Sequence, residues 1–143
     1  TTAQWDDLFG SNARAPFFLA QAAAPALRKR HGCIVNLVDI YAERPNPGHP
    51  VYCMAKAANA MMVKALAQDL APEIRVNGVA PGAALWPEGY QTDSERQEIL
   101  RRIPMGRPAG AEQIAEAVMF MVTGPDYITG QIIAVDGGRS TQQ

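Results

Sequence analysis

Three short runs rich in β-branched residues punctuate this chain: Cys33-Ile-Val-Asn-Leu-Val38, Ile74-Arg-Val-Asn-Gly-Val-Ala80 and Gln131-Ile-Ile-Ala-Val135. Long stretches of helical periodicity separate them. Strands kept that far apart do not pair as hairpins, and helical crossovers between them demand parallel pairing in a sheet covered on both faces. The chain is therefore α/β. It opens on a helix, Thr2 to Arg30, in which Trp5, Leu8, Phe9, Asn12, Leu19 and Ala23 recur at helical spacing. Asp6 and Asp7 lie near its start; Arg28, Lys29, Arg30 and His31 precede the stop at Gly32. Asp39 to Pro50, with three prolines and a glycine, reads as loop. Val51 to Leu70 reads as a second long helix, Asp93 to Arg102 as a polar one and Ala111 to Val122 as a third apolar one. Met54, Met61 and Met62 are assigned to core packing.

The 143 residues suffice for one ordinary domain, and 48% hydrophobic with 19% charged residues describes a soluble globular chain. A net charge of −1 gives no basic surplus for nucleic acid. The longest uncharged stretch, Ala15 to Leu27, contains prolines and is too short for a bilayer, so no membrane partner is expected. No signal peptide is visible, and Cys33 and Cys53 are isolated thiols without metal-ligand spacing. Reduced, mostly buried cysteines and a cytoplasmic location are expected. His31 and His49 read as solvated residues, and no metal site is expected. No strand precedes the first helix, and no Gly-x-Gly-x-x-Gly turn occurs to cradle a phosphate. The chain reads as the C-terminal half of a doubly wound parallel-sheet fold, which keeps that turn after its first strand.

The chemistry concentrates in Tyr52-Cys-Met-Ala-Lys56, with Asp39 thirteen residues before the tyrosine, just after an apolar run. Tyrosine and lysine four apart share a helix face, and an ammonium beside a phenol favours the phenolate, drawing its pKa toward the working range. Asp39 stands where α/β enzymes place reactive groups, although an aspartate after a strand also serves as a loop cap. Asn12 has a backbone argument: Pro16, four residues on, lacks the N–H that would pair with the Asn12 carbonyl, so this acceptor needs water or another donor. Pro81-Gly82 permits close backbone approach at a strand end.

Asn12, Asp39, Tyr52, Lys56 and Pro81-Gly82, in that order, with the closing Tyr127-Ile-Thr-Gly-Gln-Ile-Ile-Ala-Val-Asp-Gly-Gly138, resemble the short-chain dehydrogenase/reductase family over essentially the whole chain. The family's usual serine is Asp39 here. That aspartate, with Asn36-Leu-Val-Asp39 and Arg75-Val-Asn-Gly-Val-Ala-Pro-Gly82, is similar to the pteridine reductase branch. The resemblance implies that residues 1–143 are the catalytic half of a single Rossmann-type domain whose nucleotide-loop half is absent from this chain. It implies NADPH-dependent reduction of pterins or dihydropterins, with folates as an extension of that class. Asn12, Asp39, Tyr52 and Lys56 are then the catalytic set. Tyr52, Lys56, Pro81, Gly82, Ala84 and Leu85 are assigned to the cofactor, and Asp39, Tyr52 and Trp86 to the substrate. Ala83-Ala84-Leu85-Trp86 lacks the threonine many relatives use toward the cofactor phosphate, and Trp86 with Tyr90 is either a lid or a loop anchor. A homotetramer is implied, paired through the long helices and last strand. Two other readings stand beside this one: a carbonyl reductase, such as one for 3-oxoacyl thioesters, which normally carries the serine, and a non-catalytic partner subunit keeping the fold.

Overall fold

The structure, a computed structural model, describes residues 1–84 and 92–141. Strands β1 (Cys33–Leu37), β2 (Arg75–Pro81) and β3 (Ile132–Val135) form one sheet in the order β1-β2-β3, every pair parallel. The register pairs Ile34 with Val76 and Leu37 with Val79 on one side of β2, and Val79 with Ile133 on the other. All three strands therefore end on one side of the molecule, which carries Asp39, Gly82 and Asp136. The helices are α1 (Thr2–Phe9), α2 (Ala15–Arg28), α3 (Pro50–Leu70), α4 (Asp93–Arg101) and α5 (Ala111–Thr123).

Alternation along β2 sorts the two faces. Val76 and Ala80 join Ala60, Val63, Ala67 and Leu70 of α3 and Ala24 of α2 in the main core. On the opposite face Arg75 donates to the Met121 and Val122 carbonyls that end α5, and the fully buried Asn77 holds the turn before β3. Asn77 donates to the Ile128 carbonyl at 2.9 Å and accepts from the Gln131 amide at 3.0 Å, which satisfies both ends of its side chain. Because the central strand is packed on both sides, Val76 and Val79 are 0% exposed rather than part of an open apolar face. Exposed apolar side chains lie elsewhere, among them Leu37 on β1, Phe17, Phe18 and Leu19 on α2, and Ile133 on β3.

Two expectations are corrected. Met54 and Met61 are exposed, not core, because alanines and valine occupy much of the sheet-facing side of α3, whereas Met62 is half-buried with its sulfur 3.8 Å from Asn36 Nδ2. The opening helix is not one α-helix: residues Gly10–Arg14 form a π-helical segment between α1 and α2. Pro16 explains it. Its ring would press on the carbonyl of Asn12 and it offers no N–H, so the backbone widens there. The N-cap of α1 is Thr1, whose side chain and Gln4 form a reciprocal capping box.

Gly82 is required by packing. A Cβ there would fall 2.7 Å from the Asp136 Cβ and 2.9 Å from its Cα, so only glycine lets the β2 end pass the β3 end. Asp136 in turn accepts from the Gly138 and Ser140 amides, and positive φ at Gly137 and Gly138 closes that turn.

Candidate active site

Asp39 follows β1 in extended backbone (φ −173°) and caps a short 3-10 turn, Ile40–Ala42, inside the segment expected to be loop. Its two oxygens divide the work. Oδ1 accepts from the Tyr41 amide at 2.9 Å, and Oδ2 accepts from the Tyr52 hydroxyl at 2.6 Å. The cap and the tyrosine contact thus coexist on one carboxylate. A 2.6 Å O–H···O contact is in the range of charge-assisted bonds. A cavity of about 250 Å³ opens beside it, bounded by Asp39, Val38, Ala60, Ala80 and Ala134.

Tyr52 lies in the first turn of α3, which starts at Pro50, where a fixed φ and a missing N–H suit a helix start. Burial, then the hydrogen bond to Asp39 and the charge of that carboxylate, push the phenol well above its ordinary 10.0. The expectation that Lys56 draws the phenol toward the working range is therefore reversed in this geometry: the neighbouring carboxylate and desolvation outweigh an ammonium that lies farther off. Lys56 sits one turn on, with Nζ 5.8 Å from the centroid of the Tyr52 ring, and donates to the Leu37 carbonyl at 3.1 Å. Burial pushes its ammonium below the ordinary lysine value, and the Asp39 charge opposes that shift.

Asn12 lies in the π-helical segment. Its side chain turns back to the Leu8 carbonyl at 2.9 Å, while its own carbonyl, deprived of a partner by Pro16, accepts from Asn59 Nδ2 at 2.7 Å. The donor that the sequence left open is a buried side chain of α3. Asn59 also accepts from Asn36 Nδ2 at 3.2 Å. Asn36 and Asn59 were missed by sequence reasoning; the available signal was an amide three residues beyond Lys56, on the helix face that carries Tyr52 and Lys56.

The structure thus joins Asp39 and Tyr52 by a hydrogen bond, sets the Lys56 ammonium over the Tyr52 ring, and reaches Asn12 through Asn59. Pro81 and Gly82 stand at the same end of the sheet, and Ala84 follows them at intermediate exposure. Leu85, Trp86 and Tyr90 lie outside the described residues. His31 and His49 are exposed, and the half-buried Cys33 and Cys53 are free thiols. Among the described residues no cluster of three or more His, Cys, Asp or Glu is placed to hold a metal, and no helix is long and apolar enough to cross a membrane.

A hydroxyl–carboxylate pair with a lysine one helical turn away, at the carboxyl ends of parallel strands, is the arrangement the sequence resemblance implies, and the comparisons decide the family. The family described as enoyl-(acyl carrier protein) reductase matches residues 1–140. This chain belongs to the short-chain dehydrogenase/reductase family. It is 40% identical to pteridine reductase 1 of Leishmania tarentolae, over 94% of this chain and 50% of that protein. It is 36% identical to the 3-oxoacyl-(acyl-carrier-protein) reductase FabG of Thermotoga maritima, over 94% of this chain and 56% of that protein. Among solved structures, an apo SCOR enzyme from Clostridium thermocellum superposes with a TM-score of 0.88 at 31% identity, covering 100% of this chain and 56% of that one. The chain spans about half the length of the curated relatives it matches.

Proposed function

We propose that the protein to which this chain belongs is an NADPH-dependent oxidoreductase that reduces pterins or dihydropterins, with Tyr52, Lys56 and Asp39 handling the proton. The observation that carries this reading is the 2.6 Å contact between the Tyr52 hydroxyl and Asp39 Oδ2, made where the family usually has a serine. The similarity to pteridine reductase 1 supports it.

The residues fit a nicotinamide cofactor. Lys56 is half-buried and spends a donor on the Leu37 carbonyl, leaving an ammonium that can also reach ribose hydroxyls. Pro81, Gly82 and Ala84 follow the carboxyl end of the central strand, where such folds bind their ligands. The cofactor supplies a hydride when bound. The protein supplies the proton. Held well above its ordinary pKa, Tyr52 stays protonated throughout the neutral range, so the proton is in place before reaction. At rest that proton is directed at Asp39. A substrate bearing N–H groups donates to the carboxylate, replaces Tyr52 as its partner and turns the hydroxyl toward the ring nitrogen gaining electron density. Lys56 then stabilises the phenolate left behind, which takes back a proton from solvent by way of the Asp39 carboxylate. A ketone oxygen donates nothing and faces a repelling carboxylate.

This account makes Asp39 the residue that selects the substrate. Asp39→Ser is expected to lower dihydropterin turnover by about tenfold or more while leaving NADPH affinity within about twofold. Steady-state rates alongside a fluorescence titration of NADPH decide it, and an undiminished pterin rate removes Asp39 from the mechanism.

A second reading, reduction of a 3-oxoacyl thioester, is favoured by the similarity to 3-oxoacyl-(acyl-carrier-protein) reductases from several bacteria. We also propose a homotetramer. Phe18 and Leu19 of α2 and Met61 of α3 are exposed on helices that the family pairs across two-fold axes. Sedimentation of the native protein at micromolar concentration is expected to show the tetramer, and a stable monomer would rule it out.

A further inference from the structure

The strand β1 and the helix α3 run in opposite directions past one another, joined by three polar rungs. Asp39 meets Tyr52, the Leu37 carbonyl meets Lys56, and Asn36 meets Asn59. The chemistry above uses the first two. The third lies deepest: Asn59 is 4% exposed, beside the buried Ala55, Ala60 and Val63. A carboxamide is costly to bury there unless both its ends are paired, and here they are. Its oxygen accepts from Asn36 of β1, and its amide donates at 2.7 Å to the Asn12 carbonyl that Pro16 left open. One side chain therefore ties together strand, helix and π-helical segment.

Lys56 has no comparable restraint of its own. Its ammonium ends a flexible four-carbon stem and rests on one carbonyl at 3.1 Å. Its place beside Tyr52 depends on the distance between the end of β1 and α3, which the flanking rungs hold. We propose that Asn59 is a positioning residue: by linking Asn36 to the Asn12 carbonyl it holds α3 against β1 and so keeps the Lys56 ammonium beside Tyr52 during proton transfer. It acts through Lys56 and touches no reacting atom. The inference rests on the proposed roles of Tyr52 and Lys56.

A purely structural asparagine would lower stability without depending on the lysine, so the test is a double-mutant cycle on the native protein. Turnover is read with whichever of dihydrobiopterin or acetoacetyl thioester the protein reduces. Asn59→Leu, which keeps the branched shape at a larger volume and is unable to pair, is expected to lower kcat by about tenfold with little change in the KM for the nicotinamide cofactor. In a Lys56→Ala background the same substitution is expected to cost less than about twofold, because the group it positions is gone. Should Asn59→Leu fail to fold, Asn59→Ser is carried through the same cycle; it keeps a donor for Asn12 but no longer spans to Asn36. Equal losses with and without Lys56, or no loss of kcat in a folded variant, overturn the proposal. Failure is separable from failure of the proton-donor reading: a Tyr52→Phe variant that is inactive, together with additive effects at Asn59 and Lys56, removes only the role given to Asn59.

Discussion

Tyr52→Phe in the native protein is expected to cut turnover by about 10²-fold or more and leave nicotinamide-cofactor binding within about twofold. The substitution removes the transferable proton and the 2.6 Å contact with Asp39 while keeping the ring that Lys56 faces. The same variant has a pH signature. The folded-state pKa of Tyr52 lies above the ordinary 10.0, so the folded state holds its proton after the unfolded chain has released it. The resulting stabilisation is fully present below pH 10.0 and is lost as pH rises from there through the folded-state value. The difference in melting temperature between wild type and Tyr52→Phe is therefore expected to shrink above about pH 10. A difference that grows in that window would mean the phenol is ionised more easily in the fold. Near-normal turnover of Tyr52→Phe would remove it as the proton donor.

Lys56→Ala should do broader damage. The ammonium is assigned both to the phenolate that forms on Tyr52 and to the cofactor ribose, so kcat is expected to fall by about 10²-fold and NADPH affinity by about tenfold. The contrast with Tyr52→Phe is the informative part: one variant loses chemistry alone, the other loses chemistry and binding. A Lys56→Ala protein that binds NADPH as wild type does would confine the lysine to the proton.

Much of the fold was legible because its signals are local. β-branched runs, the basic last turn before Gly32 and the Pro-Gly after β2 placed all three strands and most helix ends within a residue or two. Tyr52 and Lys56 were legible because four residues is one helical turn, and Asp39 because it follows a strand. Pro16 even announced an open carbonyl at Asn12. Its partner was only half legible: the spacing puts Asn59 on the helix face of Tyr52 and Lys56, but which backbone group it meets depends on what packs opposite. The same holds for Met54 and Met61: they lie on a helix whose inner face is filled by smaller side chains, and only tertiary packing tells inner from outer. The reversal at Tyr52 has an electrostatic origin. The spacing to Lys56 is visible in sequence, whereas the 2.6 Å approach of Asp39 and the burial of the pair are products of the fold. Gly82, read as leaving room for a ligand, is needed first for the passage of Asp136.

The central claim is that a carboxylate paired with the proton donor suits an N–H-bearing heterocycle over a ketone. Parallel assays of NADPH oxidation by the native protein with dihydrobiopterin and with an acetoacetyl thioester test it most directly. The account predicts clear turnover of the dihydropterin and weak activity on the thioester; a clear preference for the thioester would contradict it and place the protein among the carbonyl reductases.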